Sequence, residues 1–117
     1  MIRHSTDLGL IAVDSNVYTN IAGYAATNCF GVKGMAARSL TDGLVHLLRT
    51  EAMSKGVKVS FCTDGSIVVD LHIVVDRGVN ISAIGEAIIS EVKYHVTKST
   101  GTPVKAVNVY VDSITSD

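Results

Sequence analysis

Apolar residues recur at every second position over much of the stretch 57–75. Val57, Val59, Phe61, Ile67, Val69, Leu71, Ile73 and Val75 form one row, and Lys58, Ser60, Cys62, Ser66, Asp70 and His72 fall between them. Val68 and Val74 are the exceptions. A period of two marks strands with one face toward a core and one toward water. Asp64-Gly65 joins the two runs, a strong hairpin signal. A two-residue turn would pair Phe61 with Val68 and set the apolar rows on opposite faces. A three-residue loop over Thr63, Asp64 and Gly65 instead pairs Phe61 with Ile67, Val59 with Val69 and Lys58 with Asp70. The odd-length loop is therefore predicted, with Gly65 at positive φ in a bulge.

Leu8 to Val13 reads as a short strand. Ser15 then stands where an N-cap belongs, and Val17, Ile21, Ala22 and Ala25 fall at helical spacing, predicting a helix from Asn16 to Asn28 that ends before Gly31. Val32 to Ala37 is a second strand, and Gly34 inside it points to a bulge or a close backbone contact. Leu40, Leu44, Leu47 and Leu48 predict a shorter helix over 40–54, capped by Ser39 or Thr41 and stopped by Lys55-Gly56. Asn80 caps the clearest helix, where Ile81, Ile84, Ile88, Val92 and Val96 make a stripe widened by Ala87 and Ile89. Gly101 ends it and Pro103 bars its return. Val104 to Val111 is the last strand, and the polar residues 112–117 are expected to fray.

The predicted order is β-α-β-α-β-β-α-β in a single domain over 1–117. Strands and helices do not alternate regularly, so the class is α+β. The expected shape is a two-layer sandwich, with two long helices and one shorter helix over one face of a mixed sheet of about five strands. A right-handed crossover through the 80–100 helix suits the last two strands if they are parallel neighbours.

Composition makes the core aliphatic, since 47% of the 117 residues are hydrophobic but only two are Phe and none is Trp. A net charge of −1 without a basic stripe disfavours nucleic acid as a partner. No apolar run approaches the ~20 residues of a membrane span. The start lacks a signal-peptide core, so a cytoplasmic protein is expected, reaching a membrane only through a partner. Cys29 and Cys62 lack any metal-ligand spacing and read as reduced thiols.

Reactive constellations are sparse. The four histidines, His4, His46, His72 and His95, fall in four separate predicted elements, with His46 and His95 beside helix stripes. Asp70 and His72 share a strand face, where a metal or an acid–base pair is conceivable, although a solvated face with ordinary polar residues accounts for them as well. No nucleophile motif surrounds a serine or cysteine. Gly31-Val-Lys-Gly34 suits a tight turn better than a phosphate loop. Asp70 and Asp76 stand about 20 Å apart along one strand, too far to share a bond under attack. The expectation is a protein that is not an enzyme and holds no cofactor or metal. If helices cover one sheet face, the other carries Lys58, Ser60, Cys62, Val68, Asp70, His72 and Val74. That face is either a contact surface for another protein or partly covered by the termini and the 40–54 helix.

Several stretches resemble the alkaline shock protein twenty-three family of bacterial envelope-stress proteins. They are Met53-Ser-Lys-Gly-Val-Lys-Val59, Val68-Val-Asp-Leu-His-Ile-Val-Val75, Gly78-Val-Asn-Ile81, Thr100-Gly101 and Val107-Asn-Val-Tyr-Val111, preceded by Ile21-Ala-Gly-Tyr-Ala-Ala26 and Gly31-Val-Lys-Gly-Met35. The likeness covers nearly the whole chain in order. It departs where the family often has proline after the Asn-Ile pair, since Ser82 and Ala83 follow here, and in lacking long acidic tails. The resemblance implies a small cytoplasmic, mostly Gram-positive protein with no family catalytic residues. It implies action by self-association or by binding a protein partner, such as a membrane-anchor protein. The alternative it carries is a regulator of fatty-acid or acyl-lipid metabolism that binds an acyl ligand or an acyl kinase.

Overall fold

The computed structural model describes residues 2–38, 45–47 and 55–115. The order is β1 (Ile2–Thr6), β2 (Gly9–Val13), α1 (Ser15–Thr27), β3 (Val32–Arg38), β4 (Val45–Leu47), β5 (Val57–Phe61), β6 (Ile67–Val75), α2 (Ile81–Thr100) and β7 (Val104–Ile114). The α+β class holds, and the main sheet has five strands of mixed direction. β6 is its centre. β7 runs parallel along one side, while β5 and β3 pair antiparallel with successive halves of the other side, and β4 extends the sheet beyond β3.

The hairpin takes the odd-length loop. Phe61 pairs with Ile67, Val59 with Val69 and Lys58 with Asp70, and Gly65 has φ +87°. Alternation fixed this register, because any one-residue slip would expose the row that fills the core. Asp64 locks the turn, its carboxylate accepting from the Ser66 N–H at 3.0 Å and from the Ser66 hydroxyl at 2.6 Å. Those two bonds hold the Asp64 carboxyl below its ordinary value of 3.8. The linked stabilisation is complete above that ordinary value and is lost as pH falls through the lower folded one. A two-dimensional NMR titration should place the Asp64 midpoint below that of an unstructured aspartate.

α2 begins where Asn80 accepts from the Ala83 N–H at 3.0 Å and ends at Gly101, φ +74°. Ile84, Ile88, Val92 and Val96 are buried as the stripe requires, whereas Ile81 and Ile89 remain 43% and 36% exposed. α1 is capped by Asp14, one residue before the predicted Ser15, because the Asp14 carboxylate accepts from the Asn16 N–H at 3.0 Å. Its alanines Ala22, Ala25 and Ala26 are buried, which lets α1 lie close beside α2 over β3 and β5. Tyr18 is fully buried and shares a 2.8 Å hydrogen bond with the fully buried Thr102. Tyr18→Phe removes that bond and leaves the Thr102 hydroxyl unpaired, so a loss of about 1–3 kcal/mol in urea unfolding is expected.

Four expectations need correction. The first strand is the second arm of a hairpin, since Ile2–Thr6 pairs with Gly9–Val13 in a separate two-stranded sheet. The polar residues of the first arm disguised a strand whose alternation is weak. Within the predicted 40–54 helix, Val45–Leu47 form β4, antiparallel to β3, and the rest of that helix lies outside the described residues. His46 therefore lies in a strand, not beside a helix stripe. Its leucine spacing resembled a helix, but β-branched Val45 serves an edge strand equally well, and tertiary pairing decides. The segment expected to fray after Val111 continues β7 to Ile114, tied by the Thr115 N–H to the Val75 carbonyl at 2.9 Å. The resulting order is β-β-α-β-β-β-β-α-β rather than the predicted one.

Candidate functional site

The helices cover one face of the sheet, and β5, β6 and β7 line up on the other. Register sets Lys58, Asp70 and Asn108 in one row and Ser60, Val68 and Ala106 in the next, with His72 beside Tyr110. Lys58, Ser60, Asn108 and Tyr110 are exposed, and Cys62, Val68, Asp70 and His72 half-buried. Val74 is only 6% exposed. It pairs with Gly34, and Leu47 lies so close over Gly34 that an added Cβ would stand 2.9 Å from its Cδ1. The predicted close contact at Gly34 is thus real, and a register shift between Val32 and Gly34 supplies the bulge. β4 covers this end of the face and takes Val74 out of reach.

The remaining polar groups are fixed by one another. Asn108 donates to the Asp70 carboxylate at 2.8 Å. The His72 ring stacks on Tyr110, with centroids 4.9 Å apart and planes 16° apart. Its Nδ1 lies 3.0 Å from the Asp112 carboxylate. A carboxylate on Nδ1 orients an imidazole and leaves Nε2 for a partner. Asn108, Tyr110 and Asp112 escaped the sequence reading as site residues because they sit on β7, distant in the chain. Their even spacing was the available signal, and taking 112–117 as a frayed tail hid Asp112.

Among the described residues no cluster of three His, Cys, Asp or Glu side chains could hold a metal. Lys58 and Ser60 offer donors, while Tyr110 offers an amphipathic ring of the kind enriched in interfaces. The cysteines add little. The Cys29 thiol donates to the Ala25 carbonyl at 3.4 Å, and burial, with Glu91 nearby, pushes its pKa up, so it stays un-ionised and weakly nucleophilic.

The middle of the layer between the sheet and the helices is filled. Ile67, Val69, Leu71, Ile88 and Val92 have no exposed surface. The hollows lie outside this core. One, of about 250 Å³, runs between α1 and α2 past Ile21, Tyr24 and His95. Another, of about 560 Å³, follows β7 beneath Ile81, Gly85 and Ile89 of α2. Neither is an enclosed cleft with converging ionisable groups. Among the described residues no helix is long and apolar enough to cross a membrane.

Known proteins resemble this chain at two levels. A solved structure of MamM CTD in its manganese form superposes with a TM-score of 0.51, covering 86% of this chain and 99% of that one. At 16% identity, this likeness shows a shared fold and nothing further. The uncharacterized protein YloU of Bacillus subtilis (strain 168) is 37% identical over 97% of this chain and 94% of its own length. The uncharacterized protein Spy1614 of Streptococcus pyogenes serotype M6 is 39% identical over 97% and 93%. A family model described by a cell envelope-related function matches residues 3–116, and with these relatives it establishes that the chain belongs to the alkaline shock protein twenty-three family.

Proposed function

We propose that this chain is a non-enzymatic cytoplasmic interaction protein serving the cell envelope, and that it docks a protein partner or its own copies on sheet surface left uncovered by the helices. The observation carrying this reading is the open face, where Asp70, Asn108, His72, Tyr110 and Asp112 are held in place by mutual contacts before any partner arrives. Side chains ordered in advance lose little entropy on binding, which favours a specific complex. The family's envelope-related function supplies the setting, and a membrane-anchor protein is the kind of partner that would bring such a domain to the envelope.

Charge reversal on the face tests this directly. Asp70→Arg and His72→Glu, placed on a half-buried polar surface, should leave the circular dichroism spectrum unchanged. Each should weaken a reproducible partner contact, captured by mild crosslinking in native cells, at least about tenfold, or 1.4 kcal/mol. Wild-type protein with no reproducible contact would contradict the proposal. The acyl-ligand alternative finds no room inside the filled core and would have to use the open groove of about 560 Å³ between β7 and α2. Native mass spectrometry with acyl ligands is expected to find no bound mass.

A further inference from the structure

β7 carries one residue too many where it passes His72. Val111 pairs with Ile73 and Ser113 with Val74, so Asp112 is the extra residue of a bulge. A bulge re-aims the side chain it carries. Here the Asp112 carboxylate, 15% exposed, meets the His72 Nδ1 with its two oxygens at 3.0 and 3.3 Å. A carboxylate offers only acceptors, so the neutral ring carries its proton on Nδ1. Nε2 is then a bare acceptor, and among the described residues no donor satisfies it. The ring is 43% exposed and stacked on Tyr110, which holds that acceptor in place at the surface.

One row along β6, Asp70 supplies a second acceptor. Asn108 donates to its Oδ1 at 2.8 Å, and no other side chain among the described residues bonds to the carboxylate. Lys58 stands opposite Asp70 in register, yet the two form no ion pair. Successive rows on one strand face are about 7 Å apart, a gap that a planar group with several N–H donors can bridge. Asp112 adds a second negative charge behind the ring, and Lys58 is the only cation in these rows.

A metal ion fits this pair poorly, because a third His, Cys, Asp or Glu ligand is missing among the described residues. An ammonium group bonds as a strongly hydrated point charge, whereas a guanidinium spreads five donors over a plane and sheds water more easily. We propose that the His72 Nε2 and the Asp70 carboxylate together form a docking point for an arginine side chain of a protein partner. The guanidinium donates to the carboxylate on one side and to Nε2 on the other. Tyr110, 48% exposed, gives the aliphatic stem of that arginine a ring to lie against. His72→Glu would set a carboxylate against Asp112 and lose the fixed ring, so it weakens the contact despite its charge.

This inference rests on the interaction reading above and names the chemistry of the partner. Imidazole nitrogen NMR of the full chain, with the ring neutral, reads the first half of it. His72 should show a protonated Nδ1 and a bare Nε2, and Asp112→Ala should shift the ring toward the Nε2–H form. Titration with the blocked tripeptide Gly-Arg-Gly into the millimolar range should move the His72 Nε2 and Asp70 carboxyl resonances together. Gly-Lys-Gly and the uncharged Gly-citrulline-Gly should bind at least about threefold more weakly. Asp70→Asn and Asp112→Ala should each weaken the arginine peptide by about the same factor, and Lys58→Ala should tighten it. An Nε2–H ring in the wild type would overturn the proposal. So would an arginine peptide that moves neither resonance or binds no better than its citrulline counterpart. If native crosslinking then still captures a partner whose contact Asp70→Arg weakens, the interaction reading stands and the arginine assignment alone fails. A chain that captures no partner and answers to no peptide would remove both.

Discussion

Leu71→Ala should lower stability by about 3–4 kcal/mol, a large part of the 5–15 kcal/mol that holds a domain of this size together. Leu71 has no exposed surface and lies in the middle of β6, between Val57 of β5 and Val109 of β7. Ile67, Val69 and Ile73 share its row, and Ile84, Ile88 and Val92 of α2 belong to the same core. With few aromatic rings in the chain, many close-fitting aliphatic side chains supply the cohesion. A void here is lined by a paired strand on each side, which cannot easily collapse into it. Urea denaturation would measure the loss as a shifted midpoint with an unchanged slope. Val68→Ala, on the opposite face of the same strand, should cost well under half as much, because Val68 is already partly in water.

Gly31→Ala is expected to cost about 2–5 kcal/mol through two effects that add. Gly31 has φ +90°, a region where a Cβ costs roughly 1–2 kcal/mol. That Cβ would also stand 2.6 Å from the Ile84 Cδ1 and 3.0 Å from the Val79 Cγ1. Ile84 can turn its end methyl only by disturbing a buried position, an overpacking cost of about 1–3 kcal/mol. The Gly31 carbonyl meanwhile accepts from the Asp76 N–H at 2.8 Å, so the turn cannot shift without breaking its link to the end of β6. Thermal unfolding should show the drop, whereas Gly85→Ala, in a helix where the added Cβ meets nothing within 4 Å, should move the melting temperature the other way.

The parts of the fold that could be read in advance are those where a local pattern and the tertiary arrangement agree. Residues 57–75 were legible to the exact register because alternation and loop length admit one answer. α2 was legible from Asn80 to Gly101 because cap, stripe and stop coincide. β4 was not, since a few residues whose leucine spacing suits a helix pair with β3 only in the folded chain. The first arm, Ile2–Thr6, carries too few apolar residues to announce itself. At the candidate site, the β6 side chains were foreseen on one face by parity alone. Their partners Asn108, Tyr110 and Asp112 depend on β7 lying parallel to β6, a long-range fact that a crossover through α2 permits but local sequence does not state. Val74 shows the converse case. Its parity placed it on the open face, and the approach of Leu47 over Gly34 then closed that corner.

The proposed function holds that a domain whose aliphatic side is covered by α1 and α2, and whose polar side is prearranged, acts through what it touches. Site-specific photocrosslinking in the native host tests this most directly, with the reactive side chain placed at Ser60 on the open face and, as control, at Ser90 on the back of α2. The account predicts a reproducible protein adduct from position 60 and none from position 90. Adducts missing from position 60, or equal at both positions, would contradict it.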